Sequence, residues 1–335
     1  MYVLGIDTSC DDTSFSLIED DKRVIKNTVF NQNELHRIFG GVVPEIASRK
    51  HIELIEPLFT QFMTSIQFRP KNIDLIAVTA GPGLIGSILV GLSFAKGLSL
   101  SLRKPIVGVN HVEAHAMSIF LEKNVDFPFV ALVVSGGHTI ILLVKDYCRY
   151  EVMGSTRDDA AGEAFDKIAK FLNIGYPGGV VVEKIAKEGI KDYVNFPRPM
   201  IEEDNFDFSF SGLKTAFLTY IRKNPPDEES LKHVLASFQE AICEVLAEKT
   251  IKAAKKFSVR SIVVGGGVAS NTRLREIFIE KGEEEKIEVF FPSLHYCTDN
   301  AAMVAITGYY YYKRGLTSPI TIRGFSRMAI PSTYV

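Results

Sequence analysis

The chain has 335 residues, of which 46% are hydrophobic and 23% charged. This length predicts two domains or one fold of two lobes, and the composition excludes long disorder. With 38 Lys and Arg against 40 acids, the net charge is −2; binding to nucleic acid by overall charge is excluded, and a polyanion site must come from local patches or a partner.

The chain opens as a β-hairpin. Tyr2–Ile6 is apolar, Asp7–Thr13 is a polar turn, and Ser14–Ile18 alternates with period two. A third strand is expected at Arg23–Phe30. Pro44 to about Phe68 reads as a helix interrupted at Pro57. Asp74–Ala80 reads as a strand. Gly81-Pro82-Gly83 then turns into an apolar helix, Leu84–Leu102, which carries Lys96 and is expected to be buried in the fold rather than to span a membrane. Ile106–Val109 is a short buried strand, and a helix starts at or near His111.

The order then partly recurs. Phe129–Val134 and Ile140–Val144 form a second hairpin about 126 residues after the first, around Ser135-Gly136-Gly137-His138-Thr139. An insert at about 156–230 is mostly helix and loop, and a long helix runs from about Asp227 to Lys256. Arg260–Val264, Gly265-Gly266-Gly267 and a helix from Ala269 parallel the strand, glycine turn and helix at 74–102. The halves suggest duplication, with a first lobe at 1–125 and a second at 126–325. Asp-Thr and Gly-rich turns at strand ends imply a nucleotide cleft between the lobes. This is the general plan of the sugar-kinase and actin-like ATPase (ASKHA) folds, an α/β architecture of two βββαβα subdomains. Cys10, Cys148, Cys243 and Cys297 are scattered without a CxxC pair, and no signal peptide is visible, so a cytoplasmic location is expected.

Asn110-His111-Val112-Glu113-Ala114-His115 places two imidazoles at i and i+4, on one helix face, where they suit a divalent metal. Asp299, ahead of another expected helix, is the candidate third ligand. In HExxH peptidases the glutamate sits at i+1; Glu113 is at i+2, about 200° round the helix from His111, and points away from such a metal. The Ser135–Thr139 turn offers backbone donors and hydroxyls, and His138 suits a phosphate oxygen or the metal; a plain hairpin turn is the alternative. Gly265-Gly266-Gly267 allows close approach of a flat ligand, and Asn271 suits a purine or ribose edge. Asp7, Asp11 and Asp12 cluster in the opening turn, to bind metal, to orient a nucleophile or to cap the hairpin.

GIDTSCDDTS, GGVVPEIASRKH, AVTAGPGLIGS, NHVEAH, VSGGHT, DDAAGEAFDK, GYPGG, FSFSGLKTA, GGGVASN and CTDNAAM follow in order over about residues 3–305. Together they resemble the bacterial branch of the tRNA N6-threonylcarbamoyladenosine transferase (TsaD-type) family, once described as O-sialoglycoprotein endopeptidases. The resemblance implies metal ligands at His111, His115 and Asp299, holding iron or zinc. It implies contacts to threonylcarbamoyl-AMP at Val134, Ser135, Gly136, Gly137 and His138, then at Asp166, Gly179, Glu183 and Asn271. Relatives commonly carry Asp where this chain has Glu183, and Pro where it has Val180.

The implied reaction moves a threonylcarbamoyl group from its anhydride with AMP to N6 of adenosine 37 in tRNAs reading ANN codons. Asp11 is favoured as acceptor of the amine proton, with Asp12 or a ligand phosphate oxygen as rivals, and His138 is the other catalytic candidate. Implied partners are tRNA, a catalytically silent paralogue of the same fold (TsaB-type) and a small P-loop ATPase (TsaE-type). The rival readings are a metallopeptidase and a small-molecule kinase or ATPase.

Overall fold

The computed structural model describes residues 1–330 apart from Lys22. In chain order the first half gives β1 (Tyr2–Asp7), β2 (Thr13–Glu19), β3 (Arg23–Phe30), α1 (Asn33–Arg37), α2 (Pro44–Ser65), β4 (Leu75–Gly81), α3 (Ile85–Leu102), β5 (Ile106–Asn110) and α4 (His111–Met117). The second gives β6 (Phe129–Val134), β7 (Thr139–Asp146), β8 (Arg149–Ser155), α5 (Ala161–Leu172), α6 (Gly178–Ala186), α7 (Ser211–Lys223) and α8 (Glu228–Lys256). It continues through β9 (Ser261–Gly265), α9 (Thr272–Glu285), β10 (Glu288–Phe290), α10 (Leu294–Cys297) and α11 (Ala301–Lys313).

The strands make two five-stranded sheets, ordered β3-β2-β1-β4-β5 and β10-β9-β6-β7-β8. In each, a three-strand antiparallel meander continues into parallel strands: β1 pairs β2 antiparallel and β4 parallel, as β6 pairs β7 and β9. The duplicated plan read from the sequence is therefore present as topology, in the two-lobed actin-like form. β8 is the third strand that this plan needs but that no sequence pattern located. Its register shifts twice against β7, which blurs the period-two signal. The three-residue β10 was likewise unforeseen.

Three packed layers hold the sheets. α2 and α3 cover the outer face of the first sheet, where Phe15 meets Phe59, Phe62 and Phe94. Helices α5 to α9 cover the second sheet. Between the sheets lie α4 and α11, packed on Val3, Leu75 and Val107 from one sheet and Ala131, Val133 and Val263 from the other. α11 follows the second sheet in sequence yet packs against β1, β4 and β2 of the first. Gly5 and Gly308 permit that approach: a Cβ on Gly5 would run into the Ala301 carbonyl, and one on Gly308 into Ala77.

Two expectations need correction. Pro57 does not interrupt α2, which runs unbroken through it. An interior proline costs about 3 kcal/mol, but Pro57 is on the exposed side, and Ile55, Phe59, Phe62 and Met63 anchor the helix on both sides of it. Nor is α3 wholly buried. It is long and apolar enough to cross a membrane by length and composition, yet only 33% of it is buried, and Ile85, Leu89 and Leu100 face outward.

Candidate functional site: a metal triad between two hairpin turns

The carboxyl end of β5 delivers the histidine pair. Asn110 ends the strand and caps α4, its Oδ1 accepting from the Val112 N–H at 2.9 Å and the Glu113 N–H at 3.4 Å. One turn of helix then sets the His111 and His115 rings 4.7 Å apart. Asp299 arrives just ahead of α11, where Asn300 caps the helix through the Met303 N–H and donates back to the Thr298 carbonyl. Asp299 Oδ1 lies 3.1 Å from His115 Nε2 and 3.4 Å from His111 Nε2. One ligand atom from each of these residues falls within 4.8 Å of the others. Sequence separation between the pair and Asp299 is thus closed by the same α4–α11 packing that joins the sheets.

The donor set fits a divalent ion. Two imidazole nitrogens and a carboxylate oxygen converge from rigid helix ends, which suits zinc or ferrous iron with room for a further ligand. The electrostatics favour positive charge at this point. Burial works against the His111 imidazolium, yet Asp299 and Asp7 outweigh it and push the His111 pKa up to about 9. Burial also opposes ionisation of Asp299, but the two histidines hold its carboxyl well below the usual range. Glu113, on the other side of α4, is fully buried and accepts the hydroxyl of Tyr311 from α11. It braces the two ligand-bearing helices and is turned away from the triad, as its spacing predicted.

The first hairpin turn supplies carboxylates. Asp7 closes β1 almost fully buried, with Oδ2 3.8 Å from His111 Nδ1 and Oδ1 accepting the Ser9 N–H at 3.1 Å. Asp11 and Asp12 follow in the turn. Burial raises the Asp11 carboxyl pKa. Burial, then Asp299, Asp11 and Asp7, push Asp12 up to about 9. The turn is held by a residue that sequence reasoning missed, His51 of α2. Its Nδ1 is 2.7 Å from Thr13 Oγ1 and its Nε2 is 2.9 Å from the Cys10 carbonyl oxygen. The only local signal was the GGVVPEIASRKH segment itself, to which no role was given.

The second hairpin turn supplies backbone. It closes on itself: the Ser135 N–H donates to the His138 carbonyl at 2.8 Å and the His138 N–H to Ser135 Oγ at 3.1 Å. Those two amides are therefore spent, which narrows the backbone donors expected over 135–138 to Gly136 and Gly137, both exposed and beside open space. Val134 ends β6 fully buried. The His138 ring stands 6.4 Å from that of His111. Burial, then His111 and His115, bring its pKa down to about 4, so it is neutral at physiological pH. The start of α5 supports the turn. The Ala161 N–H donates to Thr139 Oγ1 at 2.9 Å and the Gly162 N–H to the Ser135 carbonyl at 3.3 Å. A Cβ on Gly162 would sit 2.6 Å from that carbonyl oxygen.

Other expected contacts divide. Asp166 of α5 accepts the Gly178 N–H at 2.7 Å, and burial pushes its pKa up to about 6. It feels Asp11 across the cleft, and Tyr176 feels both. Gly179 is next to this loop, with open space where a Cβ would point. Asn271, expected to meet a purine or ribose edge, is engaged within the protein. Its Oδ1 caps α9 through the Leu274 N–H at 3.0 Å, and its Nδ2 donates to Gln239 at 2.8 Å. The expected helix from Ala269 is a short 3₁₀ turn, and α9 begins only after that cap. Glu183 accepts the Thr272 N–H at 2.8 Å. Both side chains tie α6, α8 and α9 together. The DDAAGEAFDK and FSFSGLKTA segments are joined the same way. Asp158 accepts the Phe210 N–H at 2.8 Å, and Asp159 is clamped between Lys167 and Lys214 at 2.6 Å each.

Comparison with known proteins follows this geometry. The profile of the TsaD family, the tRNA N6-adenosine threonylcarbamoyltransferases, matches residues 23–306. A protein of that name from Syntrophus aciditrophicus is 52% identical over 98% of this chain and 97% of its own. Another from Thermosipho africanus is 48% identical over 98% and 100%. Among solved structures, HypF of T. kodakarensis aligns with 94% of the chain at a TM-score of 0.65 and 17% identity, the chain spanning about half of it (49%). The activator of 2-hydroxyisocaproyl-CoA dehydratase from Clostridium difficile aligns with 94% of the chain at 0.54 and 13%. These two likenesses show the shared two-lobed fold alone. The family match and the relatives, over nearly the whole chain, show that it belongs to the tRNA N6-adenosine threonylcarbamoyltransferase family.

Proposed function

We propose that the chain transfers the threonylcarbamoyl group of threonylcarbamoyl-AMP to N6 of adenosine 37 in tRNAs reading ANN codons, forming t6A. The observation that carries this reading is the family match over 23–306 together with the triad between an acidic and a glycine turn. His111, His115 and Asp299 would hold one divalent ion, iron or zinc, which when bound supplies Lewis-acid polarisation of the acyl donor. The Gly136 and Gly137 amides bind the phosphate of the leaving AMP, and neutral His138 adds a donor beside them. Asp166 accepts from the ribose hydroxyls at the Gly179 loop, with Val134, Ser135, Glu183 and Asn271 shaping the pocket behind. The amine nitrogen bonds to the carbamoyl carbon, the carbon–oxygen bond to phosphate breaks, and AMP departs with that electron pair. Asp11 takes the amine proton; its raised carboxyl pKa makes it a better base than an ordinary aspartate.

The peptidase reading has no support in the geometry, because Glu113 is buried against Tyr311 and cannot serve a metal-bound water. A kinase reading rests on shared fold alone. For partners, the exposed apolar residues Ile85, Leu89 and Leu100 of α3 and Ile52 of α2 offer a docking face for the silent paralogue, and the P-loop ATPase joins that assembly. Few cations are spare, so tRNA is held weakly by this chain and more tightly in the complex. The lobes divide at about residue 125, with the insert at 156–230 in the second, and the enzyme works in the cytoplasm. Nucleoside analysis of an ANN-reading tRNA, after incubation with threonylcarbamoyl-AMP, the chain and its partners, is expected to show t6A. Its absence with wild-type protein would overturn the reading.

A further inference from the structure

A cavity of about 670 Å³ adjoins the triad on the side away from the glycine turn. None of its lining comes from β6, β7, α5 or α6. It opens between the edge strand β3 and the segment that leads into Asp299. Its lining touches the reactive centre: Thr298 is the residue before Asp299, and Asp12 belongs to the acidic turn. The size falls in the range of about 300–1,000 Å³ that holds ligands of nucleoside scale.

Its lining has the character of a slot for a flat, neutral ring. Val24 and Val29 of β3 add apolar surface to it. His295 and Tyr296 also line it, with ring centroids 4.0 Å apart. Asn27 lies on the same strand, and its Oδ1 is buried with no hydrogen-bond partner among the described residues. A buried carbonyl oxygen without a donor is costly, by about 1–3 kcal/mol, so a ligand N–H or O–H would recover that energy. Asn31 and Asn33 add amides to the lining. The Lys26 ammonium is not aimed in, since it donates to Ser65 Oγ at 2.8 Å. With no cation aimed into it, the slot suits a base rather than a phosphate.

We propose that this cavity seats the acceptor nucleoside of the RNA, with its base against the His295–Tyr296 pair and an N–H or O–H on Asn27 Oδ1. The inference rests on the transferase reading above and deepens it. Acyl donor and acceptor then approach the triad from two different lobes: the adenylate through the glycine turn, the RNA base through the β3 edge. Unstacked bases held on aromatic rings and read by amides are the usual mode for single-stranded loops.

The test uses the full chain together with its two proposed partners, an unmodified ANN-reading tRNA transcript and threonylcarbamoyl-AMP. Asn27→Ala and His295→Ala are each expected to raise the KM for tRNA by about tenfold. The adenylate Kd by calorimetry, the metal content and the Tm should stay at wild-type values. His295→Tyr, which keeps a ring in the lining, should recover most of the loss. A readout independent of turnover is photocrosslinking of an anticodon stem-loop RNA carrying 4-thiouridine on the 5′ side of the acceptor adenosine. Crosslinks to the peptides of β3 or 293–298 support the proposal. Crosslinks confined to α5–α6, an unchanged KM for tRNA, or an adenylate affinity that falls as far as tRNA affinity would overturn it. If wild-type protein forms no t6A the transferase reading itself fails; if it does and the variants match it, only the acceptor slot fails.

Discussion

The turns that close β1–β2 and β6–β7 occupy equivalent places in the two sheets, yet their chemistry is opposite. The first carries Asp7, Asp11 and Asp12, held by His51, and has no glycine. The second carries Gly136 and Gly137, held by Gly162 and Thr139, and has no carboxylate. One backbone plan thus yields an acidic turn beside the triad on one sheet and a glycine turn beside it on the other. Duplication fixed where the turns lie; side-chain composition alone decided what each one does. The triad sits where the two meet, with Asp7 on one side of His111 and His138 on the other.

The largest effect is expected where both turns converge. His111→Ala should abolish stoichiometric metal in elemental analysis and cut transfer by more than about 100-fold, with native circular dichroism. Full activity in a metal-free variant would end the triad's role. Next comes the acidic turn: Asp11→Asn should slow turnover by about 100-fold without weakening adenylate binding, because it removes a negative charge from the path of an anion. Unchanged turnover would pass the proton to Asp12 or to the ligand phosphate.

On the opposite side, Asp166→Asn should weaken adenylate binding by about tenfold and leave the metal in place. The pH dependence has a defined sign. A carboxylate that accepts from ribose is lost as pH falls through about 6, so wild-type affinity should drop there and that of the variant should stay flat. Stability runs the other way. Burial raises the folded pKa of Asp166 above its ordinary 3.8, so its favourable contribution is present below that value and lost as pH rises to about 6. The variant should therefore gain Tm relative to wild type above that pH. The smallest effect belongs to Gly162→Ala. A Cβ 2.6 Å from the Ser135 carbonyl oxygen must shift the glycine turn, costing about 1 kcal/mol or about fivefold in adenylate affinity. Metal content and tRNA crosslinking should not change.

Much of the site was legible because its signals are local. Two histidines four apart share a helix face by helical period alone, and the same period turns Glu113 away. Strand–glycine–helix order points to a site at the strand ends. Asn271 shows where this stops. An asparagine after three glycines reads equally well as a ligand contact or as a helix cap, and only the positions of the Leu274 amide and of Gln239 show that it caps the helix.

The amino-acid sequence by itself determined the duplicated hairpins, the histidine pair, the candidate third ligand and the family, because each rests on short-range pattern or ordered motifs. Only the tertiary structure decided that α11 lies between the sheets, bringing Asp299 to the histidines and Tyr311 to Glu113. It also decided that His51 clamps the acidic turn, that α2 runs straight through Pro57, and that the β3 edge opens a slot beside the triad. Each of these depends on contacts between residues tens to hundreds of positions apart, where packing of buried faces outweighs any local preference.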